Sequence, residues 1–225
     1  MAISSTSDTS LPADAGPSAA RTLDRLVARV RACRICHDQP EGRPLPHEPR
    51  PVLRASSTAR LLVASQAPGV RVHASGLPFT DASGDRLRAW MNVDKTTFYD
   101  ERRIAIVPMG FCFPGHDAKK GDLPPRRECG RHWHAALMAA MPQIETILTI
   151  GIYAQTWHRA RLGLPPSPSG GMTELVQNWR EGFAVTPKVI ALPHPSWRNS
   201  GWLKRNPWFE EEVLPVLRAE IARLI

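Results

Sequence analysis

Four short apolar runs alternate with amphipathic stretches along the chain. The runs cover residues 60–65, 104–109, 144–150 and 188–193. Runs of this length, without a regular polar alternation, are typical of strands that are buried on both faces of a parallel sheet. Helical patterns are predicted between them, over 84–93, 126–141 and 151–161. The alternation predicts an α/β fold, a three-layer α/β/α sandwich with a central, mostly parallel sheet of four strands.

The two ends of the chain carry further helical patterns. Over 21–33, apolar residues recur at three- and four-residue spacing and arginines take the opposite face. A last helix is predicted to begin with Asn206 as N-cap and Pro207 in its first turn, and to bend at Pro215. Residues 1–20 have few large apolar side chains and are predicted to form a disordered tail, which leaves one domain over 21–225.

Two loops should meet at one edge of the sheet. The first apolar run leads into Ser65-Gln66-Ala67-Pro68-Gly69, and the last leads into Pro193-His194-Pro195-Ser196-Trp197-Arg198-Asn199. Ligands of such sheets bind beyond the carboxyl ends of the strands. The two loops are therefore a candidate site.

The chain has four cysteines, as Cys33-x2-Cys36 and Cys112-x16-Cys129. Disulfides are disfavoured inside cells, so a C-x-x-C pair with two further thiols indicates a metal or a cluster rather than cross-links. Four thiolates suit either zinc or a [4Fe-4S] cluster, and four unrelated buried thiols are the plainer alternative. Three nearby histidines could also replace a cysteine on zinc: His116, His132 and His134.

Charge and hydropathy narrow the classes of partner. Lys plus Arg minus Asp plus Glu gives 29 − 21 = +8, and the pI is near 9.9. This balance is compatible with a polyanion such as nucleic acid, although charge alone is weak evidence. No stretch is long and apolar enough for a membrane helix or a secretory signal, so a cytoplasmic protein without a membrane partner is expected.

The order of these motifs resembles the uracil-DNA glycosylase superfamily. The shared features are helix-C-x2-C, S-Q-A-P-G, G-L-P-F-T-D-A-S-G-D-R-L, two later cysteines and H-P-S. The match is closest to the iron-sulfur families 4 and 5, and H-P-S-W-R-N resembles the single-strand-selective class. The resemblance implies a monofunctional, monomeric DNA glycosylase of base excision repair that acts on DNA with deaminated bases. It also implies a [4Fe-4S] cluster on Cys33, Cys36, Cys112 and Cys129, with zinc as the alternative.

The resemblance leaves two candidates for the residue that activates water, Gln66 and Asp81. Ala67 stands where the best-known family has its catalytic aspartate, and Gln66 stands where families 4 and 5 have Glu or Leu. Asp81 matches the water-orienting aspartate of family 5 once a missing glycine is allowed, but it falls on a glycine of the family 4 pattern. Asp81 could instead only cap a helix. Gln66 and Asp81 are both expected at the site, and His73 is a reserve candidate.

The remaining roles follow from matched positions. The resemblance implies that the extracted base stacks on Phe79 and that His194 donates a hydrogen bond to uracil O2, although each could be structural instead. Ser196 would contact a phosphate, and Arg198 would fill the gap in the DNA or brace the opposite strand. Asn199 belongs to the same DNA-contacting loop.

One position departs from the pattern that selects uracil. Family 4 has an asparagine four residues before the third cysteine, whereas this chain has Pro108. Without that amide, no polar side chain at this position is left unpaired when a base other than uracil binds, so the free-energy penalty against other bases is smaller. A substrate range that includes xanthine and hypoxanthine is therefore expected. Trp197 could stack on DNA or anchor its loop. Two rival functions are a non-catalytic nucleic-acid binder of the same fold and a zinc-stabilised α/β hydrolase of small molecules.

Overall fold

A computed structural model describes residues 17–167 and 171–225, and its centre is a parallel sheet. The strands are β1 (Leu61–Ala64), β2 (Ile104–Ile106), β3 (Thr146–Ile150) and β4 (Lys188–Leu192). Their order is β2-β1-β3-β4, and all three pairings are parallel. The four predicted strands and their parallel arrangement are confirmed, with each strand one to three residues shorter at an end than its apolar run.

Helices cover both faces of the sheet. The α-helices are α1 (Pro17–Arg31), α2 (Ile35–Asp38), α3 (Val70–Ser75), α4 (Ala82–Met91), α5 (Lys95–Phe98), α6 (Arg127–Cys129), α7 (Ala135–Ala139), α8 (Ile152–Arg161), α9 (Met172–Gln177), α10 (Trp179–Phe183), α11 (Ser200–Arg205) and α12 (Leu214–Leu224). A π-helical turn, Gly130–His134, joins α6 to α7, and a second, Phe209–Val213, precedes α12. A 3₁₀ turn covers Trp197–Asn199.

Successive strand residues point into two separate cores, as the pleat of a strand requires. Leu61 and Val63 of β1 belong to the core that also holds residues of α4 and α12. Leu62 and Ala64 belong to the opposite core, with residues of α1, α7 and α8. The predicted three-layer α/β/α sandwich is therefore confirmed, and it leaves the carboxyl ends of β1 and β4 on one rim.

The ends of the chain differ in detail from the predicted pattern. Helix α1 begins at Pro17, ahead of the predicted start at residue 21, and the rest of the predicted tail, 1–16, lies outside the described residues. Pro215 is the second residue of α12, which directly follows the π-helical turn Phe209–Val213, so it lies inside a continuous helical segment. Among the described residues, we find no helix that could cross a membrane.

Candidate functional site

A cavity of about 110 Å³ opens at the carboxyl ends of the strands, and we call it the central pocket. Both predicted loops contribute to it, since Ala67 and Pro68 come from the first and His194 from the last. It is lined by Val52, Ser65, Ala67, Pro68, Gly69, Val72, Pro78, Phe79, Asp81, Ser83, Pro108, Asp122 and His194. The predicted convergence of the two loops is thus confirmed.

Phe79 lines the central pocket from an unusual backbone conformation. Its φ is 56°, a region that a side chain with a Cβ rarely adopts. The Arg88 guanidinium donates to its carbonyl at 3.2 Å, and the Tyr99 hydroxyl is shared between the carbonyls of Pro78 (2.7 Å) and Phe79 (3.0 Å). Gly84 lies so close that a Cβ there would stand 1.9 Å from the same oxygen. Phe79 is therefore held in a strained conformation by the start of α4, and its ring also meets Phe98 edge-on at 5.9 Å.

Asp81 both lines the central pocket and caps a helix. Its Oδ1 accepts from the Gly84 N–H at 3.3 Å, at the start of α4. Asp81 can therefore cap the helix and also present its carboxylate to the pocket, so the two interpretations of this residue do not exclude each other. The cap fixes the position of the carboxylate at the edge of the pocket.

His194 enters the central pocket with its proton position defined by its neighbours. The Ser196 N–H donates to His194 Nδ1 at 3.2 Å, so the proton of the neutral ring is on Nε2. The Asn199 amide donates to the His194 carbonyl at 2.7 Å and fixes the loop. Burial lowers the pKa of His194, while the charges of Asp81 and Asp122 act in the opposite direction. The arrangement gives a neutral imidazole with one N–H donor.

The rest of this loop lies at the surface. Arg86 on α4 donates to the Ser196 carbonyl (2.9 Å) and to the Ser200 hydroxyl (3.3 Å). Trp197 is 77% exposed, and the Arg198 guanidinium lies 6.0 Å from the centre of its ring. Of the predicted DNA-contacting residues, Ser196, Arg198 and Asn199 thus all belong to this loop rather than to the lining of the central pocket.

Gln66 is separated from Asp81. It lies in an adjoining depression of about 150 Å³, which we call the side pocket, and its side chain packs against Gly151. The side pocket is lined by Gln66, Ala67, Pro68, Pro114, Asp122, Leu123, Pro124, Pro125, Tyr153 and His194. His73, the reserve candidate, does not line either pocket and lies 4.1 Å from the ring of His47.

Asp122 was missed by sequence reasoning. It lines both pockets, and its carboxylate bonds the His116 ring at 3.1 Å. A Cβ on Gly69 would lie 3.6 Å from its Oδ2, so it faces the first loop. It belongs to the loop between β2 and α6, which no local sequence pattern connects with the strand ends. The acidic residue in a basic segment was the only available signal.

Pro108 lines the central pocket, as its place before the third cysteine suggested. None of the described residues that line this pocket has a side-chain amide. The polar side chains there are hydroxyl, carboxylate and imidazole. A pair of amide hydrogen bonds to one particular base edge is therefore not available from the side chains of the pocket.

The four cysteines lie on three segments and contact one another in pairs. All are free thiols; Cys36 hydrogen-bonds to Cys129, and Cys36 and Cys112 share a small buried cluster with Leu45. Burial, followed by the nearby Cys36 and Cys33, raises the pKa of Cys112 to about 12. Four sulfur donors from neighbouring segments fit the ligand chemistry of an iron-sulfur cluster, and also that of zinc. Among the described residues, no three of His, Cys, Asp and Glu are arranged around a common metal position.

A protein-family model matches about three quarters of this chain. The model described as the Uracil DNA glycosylase superfamily matches residues 54–218. The matched range contains both loops, the Phe79–Asp81 segment and two of the cysteines.

Proposed function

Because this chain belongs to the uracil-DNA glycosylase superfamily, whose members are in general DNA glycosylases and bind DNA, we propose that it excises deaminated bases in base excision repair. The observation that carries this proposal is the pairing of an aromatic platform, Phe79, with the N–H donor of His194 in one pocket. A base extracted from DNA would lie on the ring and present a carbonyl oxygen to the imidazole.

The proposed reaction is hydrolysis of the N-glycosidic bond. The bond between C1′ and the base nitrogen breaks, its electron pair goes to the base, and C1′ becomes oxocarbenium-like. The Nε2–H of His194 stabilises the negative charge on the departing base, and a donor placed in advance acts mainly on the transition state. Water then adds its oxygen to C1′ and gives up a proton to a general base. That proton is finally balanced by protonation of the departed base anion, and the products are the free base and an abasic sugar.

Asp81 is the proposed residue that orients this water. Its carboxylate lines the same pocket as Phe79 and His194, whereas Gln66 lies in the side pocket. A carboxylate can accept the water proton as the oxygen adds to C1′, and it also offsets the positive charge on the sugar. The helix cap holds it there.

The proposed substrate range is uracil together with xanthine and hypoxanthine. Pro108 in the wall and the lack of amide side chains among the described lining residues support this range. Stacking on Phe79 accepts any base face, and a single donor at His194 reads only one carbonyl oxygen. Bases that carry a carbonyl at that place therefore share the main contacts.

The exposed loop would engage the DNA. Trp197, the most exposed large apolar side chain of the described residues, would fill the gap left by the extracted nucleotide. Ser196 would contact a phosphate, and Arg198, beside Trp197, would brace the opposite strand. Arg86 and Asn199 hold this loop in place from below.

A [4Fe-4S] cluster on Cys33, Cys36, Cys112 and Cys129 is part of the proposal. The support is the four free thiols, with Cys36 in contact with both Cys112 and Cys129. A bound cluster would supply a rigid link between the start of the domain and the loop that carries Asp122. Iron, sulfide and zinc analysis of the purified protein tests it: iron with equimolar sulfide supports the cluster, and stoichiometric zinc contradicts it. Cys112→Ser is expected to lose the brown absorbance.

An excision assay tests the reaction. Oligonucleotides with uracil, xanthine or hypoxanthine, in single- and double-stranded form, are incubated with the protein and then cleaved with alkali. Strand breaks at the modified base support the proposal. Binding without breaks on every substrate would instead favour the non-catalytic binder, and zinc together with no DNA binding would favour the small-molecule hydrolase.

A further inference from the structure

Large apolar side chains are exposed at four positions of the described residues: Val70, Leu123, Tyr153 and Trp197. Two of the four line the side pocket, and the other two are close in sequence to residues of the central pocket. Tyr153 lines the side pocket, as does Leu123, while Val70 follows the pocket residue Gly69 and Trp197 is three residues after His194. Exposed apolar side chains that line a pocket are typical of a binding surface. The proposed function gives the exposed Trp197 side chain a role, but it gives none to Tyr153 or Leu123.

The side pocket continues the central pocket rather than forming a separate site. Both are lined by Ala67, Pro68, Asp122 and His194. A nucleotide strand with one base in the central pocket would therefore bring its next residue against the side pocket. Since neighbouring bases of one strand are joined by a single phosphodiester, this closeness is what the covalent structure of DNA requires.

The wall chemistry of the side pocket suits a base rather than a phosphate. Among its described lining residues there is no lysine or arginine, and Asp122 carries a negative charge at its border with the central pocket. Four prolines, Leu123 and the Tyr153 ring supply flat apolar surface. Aromatic rings stack on any base, and rigid proline rings lose little freedom on binding.

Tyr153 is held firmly at this place. It is 42% exposed in the first turn of α8, which begins after Gly151, a residue with φ 79°. The Gln66 side chain fills the space above Gly151, where a Cβ would lie 2.9 Å from its Cδ. The Gln155 amide donates to the carbonyls of Leu192 (2.9 Å) and Thr149 (3.4 Å) and ties α8 to the strand ends. The backbone that carries Tyr153 is therefore fixed relative to the central pocket.

We propose that the side pocket is a second base subsite, in which an unpaired base adjacent to the extracted nucleotide stacks on Tyr153. This inference rests on the proposed function for the occupant of the central pocket. An adjacent base can enter only when it is not paired, so the subsite favours single-stranded DNA or DNA opened around the lesion.

A binding experiment without catalysis tests the subsite. Fluorescence anisotropy measures the Kd of the whole protein for single-stranded oligonucleotides that carry one tetrahydrofuran abasic residue. In further oligonucleotides, the base on its 5′ or its 3′ side is also replaced by tetrahydrofuran. Wild type is expected to bind about tenfold more weakly when the base on one of the two sides is missing, since a stacked base contributes at this level.

The variants Tyr153→Ala and Tyr153→Phe complete a double-mutant cycle. Tyr153→Ala should weaken binding of the complete oligonucleotide about tenfold and show no further loss when the neighbouring base is removed, whereas Tyr153→Phe should behave as wild type. Circular dichroism checks that both variants are folded. Equal sensitivity of Tyr153→Ala and wild type to the missing base, or no binding by wild type, would overturn the subsite.

The two proposals can fail separately. Excision of a deaminated base together with a Tyr153→Ala variant that binds like wild type leaves the glycosylase and removes the subsite. A Tyr153-dependent contribution of the neighbouring base without any excision leaves the subsite and removes the glycosylase.

Discussion

The segment around Phe79 and the loop after β4 face the same pocket but are built differently. Phe79 is 8% exposed and held by buried hydrogen bonds to its carbonyl, whereas Trp197 is 77% exposed on a loop that is tied down by Arg86 and Asn199. The difference in exposure indicates that the two regions have different roles. The buried segment would set the chemistry of the extracted base, and the exposed loop would set the affinity for DNA. His194 belongs to the loop by sequence and to the pocket by position.

The strongest test of this division is His194→Ala. Loss of a single donor that acts on transition-state charge costs about 10²–10³ in rate, so kcat should fall by that factor while KM changes little. Single-turnover excision assays measure it. His132→Ala, which removes an exposed histidine outside the pocket, is the matched control. A kcat within twofold of wild type would show that His194 is not the donor.

Asp81→Asn separates the two roles of that residue. Asparagine caps helices as well as aspartate, so the free energy of unfolding should stay the same. The loss of the carboxylate should lower kcat about 100-fold, because general-base assistance is of this size. Asp24→Asn on α1 controls for charge. An active Asn variant would transfer the water-positioning role to Gln66.

The pH dependence of kcat/KM tests the role of His194, which belongs to both regions. Burial lowers its pKa below the usual 6.5, so the ring is neutral at pH 7. As pH falls through the lowered value, Nδ1 gains a proton and can no longer accept from the Ser196 N–H. We expect kcat/KM to be constant from pH 8 to 7 and to fall about tenfold per unit below the pKa, because the protonated ring loses the Ser196 contact that orients it. A midpoint above 6.5 would contradict the assignment, and Asp81→Asn should shift the midpoint downwards because the Asp81 charge raises it.

Trp197→Ala tests the exposed side alone. In the proposed function, the Trp197 ring stacks on the bases that flank the extracted nucleotide. Loss of this stacking should raise KM about tenfold on double-stranded substrate, with a smaller change in kcat. Trp197→Phe should recover most of the affinity. A tenfold loss in kcat at constant KM would break the proposed division, since it would assign chemistry to the exposed loop.

The smallest effect is expected from Arg86→Gln. The substitution removes the charged donor to Ser196 and Ser200 without touching either pocket wall. KM should rise about fivefold and kcat should be nearly unchanged, because only the support of the DNA loop is weakened. Arg25→Gln on α1 is the matched control. An effect on kcat as large as that of His194→Ala would show that Arg86 positions the donor itself.

The sequence predicted the parts of this protein that depend on local pattern or on strand direction. The buried runs became the four strands, and parallel strands bring their carboxyl ends together, which placed Ala67 beside His194. The short helices α3, α9, α10 and α11 were missed. Helices of five or six residues are stabilised by tertiary packing, which leaves little periodic signal in the sequence.

Residues that reach the site through loop conformation could not be predicted. Asp122 arrives from a turn in which Lys120 has φ 61° and the Asp117 carboxylate accepts from the N–H groups of Lys119 and Gly121 at 2.8 Å. Arg88 and Tyr99 support Phe79 through hydrogen bonds to its backbone carbonyl. Contacts with a backbone atom leave no pattern of residue types in the sequence. The two π-helical turns likewise depend on packing rather than on composition.

The left-handed backbone of Phe79 has a thermodynamic consequence for recognition. Its strain is compensated when the chain folds, by Arg88, Tyr99 and the close approach of Gly84. In the proposed function, the ring would consequently be in place before a base arrives, and no ordering entropy would be lost there on binding. The rearrangement needed for recognition then falls on the DNA, and bases that are already weakly paired or unstacked should be captured faster than stable ones.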